Sequence, residues 1–134
     1  MIAAIRIRGS EGIHRSVQDT LELLHLHKKN FCAIIQKKPS SIGMLRKAKD
    51  YITWGEIDDN TIKILYEKRG EEYKGNPERK TKYITVNGKK LKPFFRLHPP
   101  RGGFERAGIK QPYTLGGALG QRKDGISKLI QKMI

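Results

Sequence analysis

Cysteine is almost missing from this chain. Cys32 stands alone among 134 residues, which excludes an internal disulfide and leaves a cysteine zinc site without partners. Inside the apolar run FCAII it reads as a small core residue. Long apolar runs are missing too. The sequence has no run of about eighteen apolar residues, the length that crosses a membrane as a helix, and the opening MIAAIRIRG places Arg6 and Arg8 where a secretory apolar segment would continue. A cytoplasmic protein is expected. Carboxylates are scarce, 13 against 28 Lys and Arg, for a net charge of +15. A compact body with that charge repels itself unless a polyanion neutralises it, so nucleic acid or an anionic surface is the natural partner. The length suits one domain's core and argues against a second, independent enzyme domain.

The charge is unevenly spread. Residues 79–110 carry ten cations against the single acid Glu105, whereas residues 1–70 carry thirteen against eight. More than half of the excess therefore falls in a quarter of the chain. That quarter contains HPPRGGFER, residues 98–106, whose prolines, glycines and cations suit no interior.

The first part reads as a compact α+β unit. IAAIRIR alternates, Ile5 and Ile7 on one face and Arg6 and Arg8 on the other, as a strand with one wet side requires. After GSEG, the segment His14 to Leu26 sets Val17, Thr20, Leu21 and Leu24 at helical spacing. NFCAIIQ suits a strand buried on both sides. KKPSS breaks it, and Ser40 or Ser41 is the expected cap of a helix turning Ile42, Leu45, Ala48 and Ile52 inward, with Arg46, Lys47 and Asp50 outside. YITWGEI follows as a strand. The expected architecture is a β-α-β-α-β core, a small sheet covered by two helices on one face, in effect half of a ferredoxin-like arrangement. A helical and basic, loop-rich C-terminal extension follows it.

In that extension Asp59 or Asn60 is expected to cap a helix through Ile62, Leu65 and Tyr66, closed by Gly70 at the C′ position. Asn87-Gly88 signals a hairpin. PFFRLH suits a strand with Phe95 and Leu97 on one face, Arg96 and His98 on the other. Residues 99–120 are expected to form a long irregular loop, uncommon in a compact domain unless it serves a function. Asp124 is the expected cap of a last helix whose Ile126, Leu129, Ile130 and Met133 form an apolar stripe.

Arg forks bind phosphates, and Gly102-Gly103 admits a sugar-phosphate chain close to the backbone. Arg96, His98, Arg101, Gly102, Gly103, Arg106, Lys110, Arg122 and Lys123 are thus candidate RNA contacts. Arg6, Arg8, His14, Arg15, Lys28, Lys29, Lys37, Lys38, Arg46, Lys47, Lys68 and Arg69 are candidates to extend the footprint. Phe104 and Tyr113 suit either stacking on unpaired bases or pinning the loop to the body. No constellation resembles a reaction centre, and no cofactor, metal or small-molecule substrate is expected. His25-x-His27 lacks the Cys or carboxylate partners of a metal site. Two rival classes are an RNA-cleaving enzyme using His14 or His98 and a DNA-compacting basic protein.

The segments IAAIRIRGSEGIHRSVQDTLELLHLHKKNFCAII, KPSSIGMLRKAKDYITWGEI, HPPRGGFERAGIK and GQRKDGISKLIQKMI resemble the archaeal form of large-ribosomal-subunit protein thirty, the family called protein seven in eukaryotic ribosomes. The resemblance spans essentially the whole chain. Its most specific pieces are Arg6-x-Arg8-Gly9, Ser41-Ile42-x-Met44-Leu45-Arg46, Trp54-Gly55, Lys68-Arg69-Gly70, Pro100-Arg101-Gly102-Gly103 and Asp124-x-Ile126-x-x-Leu129-Ile130. It implies that residues 1–57 are a core shared with bacterial relatives and 58–134 an archaeal and eukaryotic extension packed on it, shorter than in eukaryotes between Gly70 and Phe94. It implies a non-catalytic structural protein on 23S-type rRNA, with 5S rRNA, the central protuberance and other ribosomal proteins nearby.

Overall fold

A computed structural model describes residues 1–9, 11–75, 84–86, 88–104, 106, 108–122 and 125–134. Its centre is the strand β1 (Ile2–Arg6), antiparallel to β2 (Phe31–Ile35) on one side and to β3 (Ile52–Glu56) on the other. The helices α1 (Arg15–Leu23) and α2 (Pro39–Lys47) connect them, giving the expected β-α-β-α-β order. Two short strands widen the sheet to β6-β2-β1-β3-β7: β6 (Phe95–Arg96) pairs with β2, and β7 (Gly120–Gln121) runs parallel to β3. Neither edge strand has more than two residues, too short to show a periodicity, and β7 lies at the end of the stretch expected only as loop.

Both faces of β1 are covered, contrary to the wet side its alternation suggests. Ile2 and Ala4 meet Leu21, Leu24, Leu45 and Ala48 from α1, α2 and the residues just beyond them. Ala3 and Ile5 meet Leu65 of α3 (Asp59–Arg69) and Ile126, Leu129, Ile130 and Met133 of α4 (Ile126–Met133). The α1 and α2 layer thus lies on one face, as expected, and the C-terminal helices occupy the other. Alanine at positions 3 and 4 keeps both faces apolar without bulk. Cys32 is fully buried in this second layer, where desolvation of the thiolate raises its pKa to about 12.

Helix boundaries follow local chemistry more closely than the periodicity does. His14 is the N-cap of α1 and its Nδ1 accepts from the Ser16 N–H at 3.3 Å. Helix α2 starts at Pro39, ahead of the serines, because proline at the first position loses no intrahelical hydrogen bond. Ile52 belongs to β3 rather than to that helix. Asp58, one residue before the expected cap, accepts from the Thr61 N–H at 3.2 Å, and this hydrogen bonding holds its carboxyl below the usual aspartate value. Gly70 does end α3, but with extended backbone (φ −65°) and not a left-handed turn; a Cβ there would lie 2.5 Å from the Tyr66 carbonyl oxygen.

The hairpin forms from β4 (Ile84–Val86) and β5 (Lys89–Leu91), Val86 facing Lys89, with Gly88 at φ +78°. Asn87 lies outside the described residues, as does Asp124, the expected cap of α4. Helix α4 itself forms with its four stripe residues buried.

Candidate nucleic-acid interface

The stretch 99–120 is mostly irregular, as expected, apart from a 3-10 turn at Tyr113–Leu115 and the start of β7, and it is fastened to the body. The backbone N–H groups of His98 and Arg101 donate to the carbonyls of Met133 and Lys132, at 2.9 and 3.2 Å. They satisfy carbonyls that the end of α4 would otherwise leave open. Phe104 packs against the apolar residues beneath, so the pinning role expected as one alternative is the one it takes. Farther on, Tyr113 N–H donates to Leu119 at 2.7 Å and Leu119 N–H to Gln111 at 3.1 Å. Gly117 is needed for that close approach, since a Cβ would stand 2.0 Å from the Gln111 oxygen.

Arg122 then enters the interior. Its Nε donates to Thr53 Oγ1 at 2.8 Å, its Nη2 to the Ala118 carbonyl at 3.1 Å, and its guanidinium lies 4.9 Å from the centre of the Tyr113 ring. Only 4 % of its surface is exposed. Expected as an RNA contact, Arg122 is mainly a brace between the loop and β3, and only its small exposed edge lines the cleft between residues 101–106 and α4.

Arg6 requires the same correction. It is 2 % exposed, its Nε donates to the Arg8 carbonyl and its Nη1 to the carbonyls of Leu26 and His27, all at 2.9 Å. Burial lowers its pKa from the ordinary arginine value, while the Tyr51 charge opposes that shift. These three carbonyl oxygens compensate an interior guanidinium. Nothing in the alternation of β1 distinguishes such an arginine from a solvated one.

The remaining candidates fall into groups. Arg101, Gly102, Gly103 and Arg106 line one cleft of about 310 Å³, closed on its far side by Lys128 and Lys132 of α4. The two glycines sit at φ +78° and +79°, a conformation that turns the chain sharply and that other residues resist. Arg101, Arg106, Lys128 and Lys132 form no ion pair among the described residues. Four exposed cations therefore converge across a depression that is also lined by the Tyr113 ring and the buried Arg122. The two lysines are absent from the sequence-based candidates. Their i, i+4 spacing beside the buried stripe is legible in the sequence, but only the docking of residues 98–104 on α4 brings that face opposite the arginines.

Other candidates are neutralised. Arg96 Nε donates to Glu71 Oε1 at 2.7 Å, and Lys92 lies 3.3 Å from the same carboxylate. Burial alone would raise the Glu71 pKa, but the hydrogen bonds and charges of Arg96 and Lys92 outweigh it and hold the group below its usual value. Lys37 pairs with Glu56 and depresses that carboxyl through hydrogen bond and charge. Arg15 pairs with Asp19 at 3.5 Å. The excess positive charge is therefore partly consumed by the protein's own acids.

Arg8 is half-buried, donating to the Asp50 carbonyl at 3.2 Å and lying 5.2 Å from the Tyr51 ring centre. Lys28, Lys29, Lys38, Arg46, Lys47, Lys68, His98 and Lys110 are exposed and Arg69 is half-buried, none of them lining the cleft. Lys123 lies outside the described residues. His14 has its Nδ1 2.8 Å from Ser16 Oγ, the surroundings of a helix cap. Among the described residues no three His, Cys, Asp or Glu side chains are grouped to hold a metal ion.

Residues 2–52, from β1 to the first residue of β3, match the family model described as ribosomal protein L30p/L7e. Over nearly its full length the chain is similar to the protein named large ribosomal subunit protein uL30 in three archaea. Identity is 46 % with that of Methanopyrus kandleri, covering 96 % of this chain and 100 % of the relative. It is 39 % with that of Methanococcus maripaludis, covering 98 % of each. With that of Nanoarchaeum equitans it is 41 %, covering 100 % of this chain and 99 % of the relative. Similarity of this degree extends from β1 through the cationic cleft and α4, and the chain belongs to the ribosomal protein L30p/L7e family.

Proposed function

We propose that this protein is a non-catalytic structural constituent of the large ribosomal subunit, in the cytoplasm, and that it binds large-subunit rRNA of the 23S type. Residues 1–57 are the shared core on this reading and residues 58–134 the extension that carries the principal RNA contact. The observation that carries it is the cleft between residues 101–106 and α4, where four cations without carboxylate partners among the described residues surround two glycines. Phosphates of a folded RNA fit that arrangement: guanidinium forks take their oxygens, and the glycines let the sugar-phosphate chain come close. Shape and backbone rather than base sequence are read, since the major groove of an A-form helix is too narrow for side chains. Neutralising those phosphates lets neighbouring RNA segments pack together. Contacts with 5S rRNA at the central protuberance and with adjoining ribosomal proteins belong to the same proposal.

Binding of large-subunit rRNA at several salt concentrations tests it. Arg101→Ala with Arg106→Ala is expected to weaken binding and to reduce the slope of log affinity against log salt by about 1–2. An unchanged affinity and slope would remove the cleft from the interface. Cleavage of labelled RNA that His14→Ala or His98→Ala abolished would favour the enzyme class instead.

A further inference from the structure

The turn between α1 and β2, HLHKKN at residues 25–30, is held in a way that its modest role as a connection does not explain. His25 (φ +61°) and Asn30 (φ +66°) are the non-glycine residues with left-handed backbone among those described, and both lie in this one turn. Such conformations persist where the surroundings over-determine them. Here Arg6 supplies that constraint: its guanidinium grips the Leu26 and His27 carbonyls, and its own carbonyl accepts from Asn30 N–H at 2.8 Å. Asn30 in turn accepts from Leu97 N–H at 3.1 Å, so β1 and the end of β6 both fix the turn.

What this framework displays is an aromatic array beside cations. Phe31 and Phe94 are stacked, 4.8 Å apart and 7° from parallel, and the His27 ring meets Phe94 at 5.9 Å and 82°. His27 is exposed and both phenylalanines are half-buried. Lys28 and Lys29 are exposed beside it and form no ion pair among the described residues. The Lys29 stem passes Gly9 so closely that a Cβ there would stand 3.1 Å from its Cε.

We infer that this turn is a second RNA contact, in which an unpaired base stacks on His27, buttressed by Phe94 and Phe31, while its flanking phosphates meet Lys28 and Lys29. The inference rests on the RNA-binding reading above and adds a different surface and a different chemistry. Every base offers a π face, and only a nucleotide outside a duplex exposes one, so the ligand is single-stranded RNA. The adjacent positive charge suits a polyanion and gives an apolar peptide nothing to pair with. Rigidity is useful here, because a platform already in its bound form loses little entropy when a base settles on it.

The test uses the full chain with a short single-stranded RNA carrying 4-thiouridine and a duplex RNA of equal length. His27→Ala is expected to lower affinity for the single strand roughly tenfold, the loss of one stacked base, and to leave the duplex unaffected. His27→Phe, which keeps a ring, should restore binding, and the photocross-link should map to the peptide bearing His27 or Phe94. Equal affinities of wild type and His27→Ala for the single strand, equal losses for both RNAs, or a cross-link confined elsewhere would each overturn the inference. A protein partner on this patch would give the first of those results. If the duplex binds and Lys128→Ala with Lys132→Ala weakens it while His27→Ala is silent, the platform falls and the rRNA reading stands. If neither RNA binds wild type at low salt, both fall.

Discussion

The Nη1 atom of Arg6 lies 2.9 Å from the carbonyl oxygens of both Leu26 and His27, joining the last residue of the central strand to the exit of α1. Those carbonyls have left α1, so the guanidinium stands where intrahelical N–H groups would otherwise be. Replacing Arg6 by Ala leaves them without that donor in a buried place. The expected cost is about 2–4 kcal/mol, from the removal of charged hydrogen bonds together with the cavity. Urea unfolding should show a lower midpoint with an unchanged slope. RNA binding by the protein that remains folded should keep its salt dependence, since this charge faces inward. A reduced salt slope with intact stability would show that Arg6 reaches solvent.

The cleft separates cations by partnership rather than by number. Lys128 and Lys132 are free of ion pairs among the described residues, whereas Lys37 is held by Glu56. Lys128→Ala with Lys132→Ala should reduce the salt slope for rRNA by about 0.7–0.9 for each phosphate that the variant no longer neutralises. Lys37→Ala should change it by much less. Stability should move by under about 0.5 kcal/mol in either variant, because exposed charges away from the core contribute little. Equal slopes for the two variants would mean that binding depends on total charge and not on this cleft.

The contrast between Arg6, Arg122 and the two α4 lysines shows where the sequence is readable. Alternation located β1, short apolar runs between turn residues located β2 and β3, and the 3.6 period located the four helices among the described residues, because burial leaves a pattern in any window long enough to hold it. Charge clustering likewise located residues 101–106. What it missed depends on tertiary placement. An arginine at the end of a strand looks the same whether it meets water or the carbonyls of Leu26 and His27, and Arg122 looks the same as any cation in a basic loop. The two residues of β7 show no periodicity, and they become a strand only because β3 offers an open edge. Lys128 and Lys132 acquire meaning when residues 98–104 dock on the end of α4, a long-range interaction with no local signature.

Gly117 gives a sharper test of whether the loop is fastened as described. No positive φ is involved; the reason for glycine is the Gln111 oxygen, 2.0 Å from the position of an added Cβ. Gly117→Ala must push apart the segments that the Tyr113–Leu119 and Leu119–Gln111 hydrogen bonds draw together. Overpacking of this kind typically costs about 1–3 kcal/mol. Amide exchange at Tyr113 and Leu119 should quicken, while the amides of β1 keep their protection. Gly102→Ala meets no neighbouring atom and acts only through its φ of +78°, so those two amides should be unaffected there. Slow exchange at Leu119 in Gly117→Ala would contradict the arrangement.

Acid should weaken the cluster at Glu71, where Arg96 and Lys92 share one carboxylate. Its folded pKa lies below the ordinary glutamate value. A depressed folded pKa means that the ionised form is favoured by folding. The contribution is therefore complete above the unfolded value, about 4.3 for glutamate, and is lost as pH falls through the lower folded one. Arg96 is well exposed, so solvent screens the pair and the contribution stays below about 1 kcal/mol. Glu71→Gln should reduce stability slightly at pH 7 and flatten the decline that begins as pH falls through the ordinary glutamate range, bringing the two proteins together in acid. It should also release Arg96, so rRNA binding at pH 7 tightens modestly in low salt. A variant whose stability parallels wild type across that range would show that Glu71 has the same affinity for protons folded and unfolded, and that Arg96 is already available to RNA.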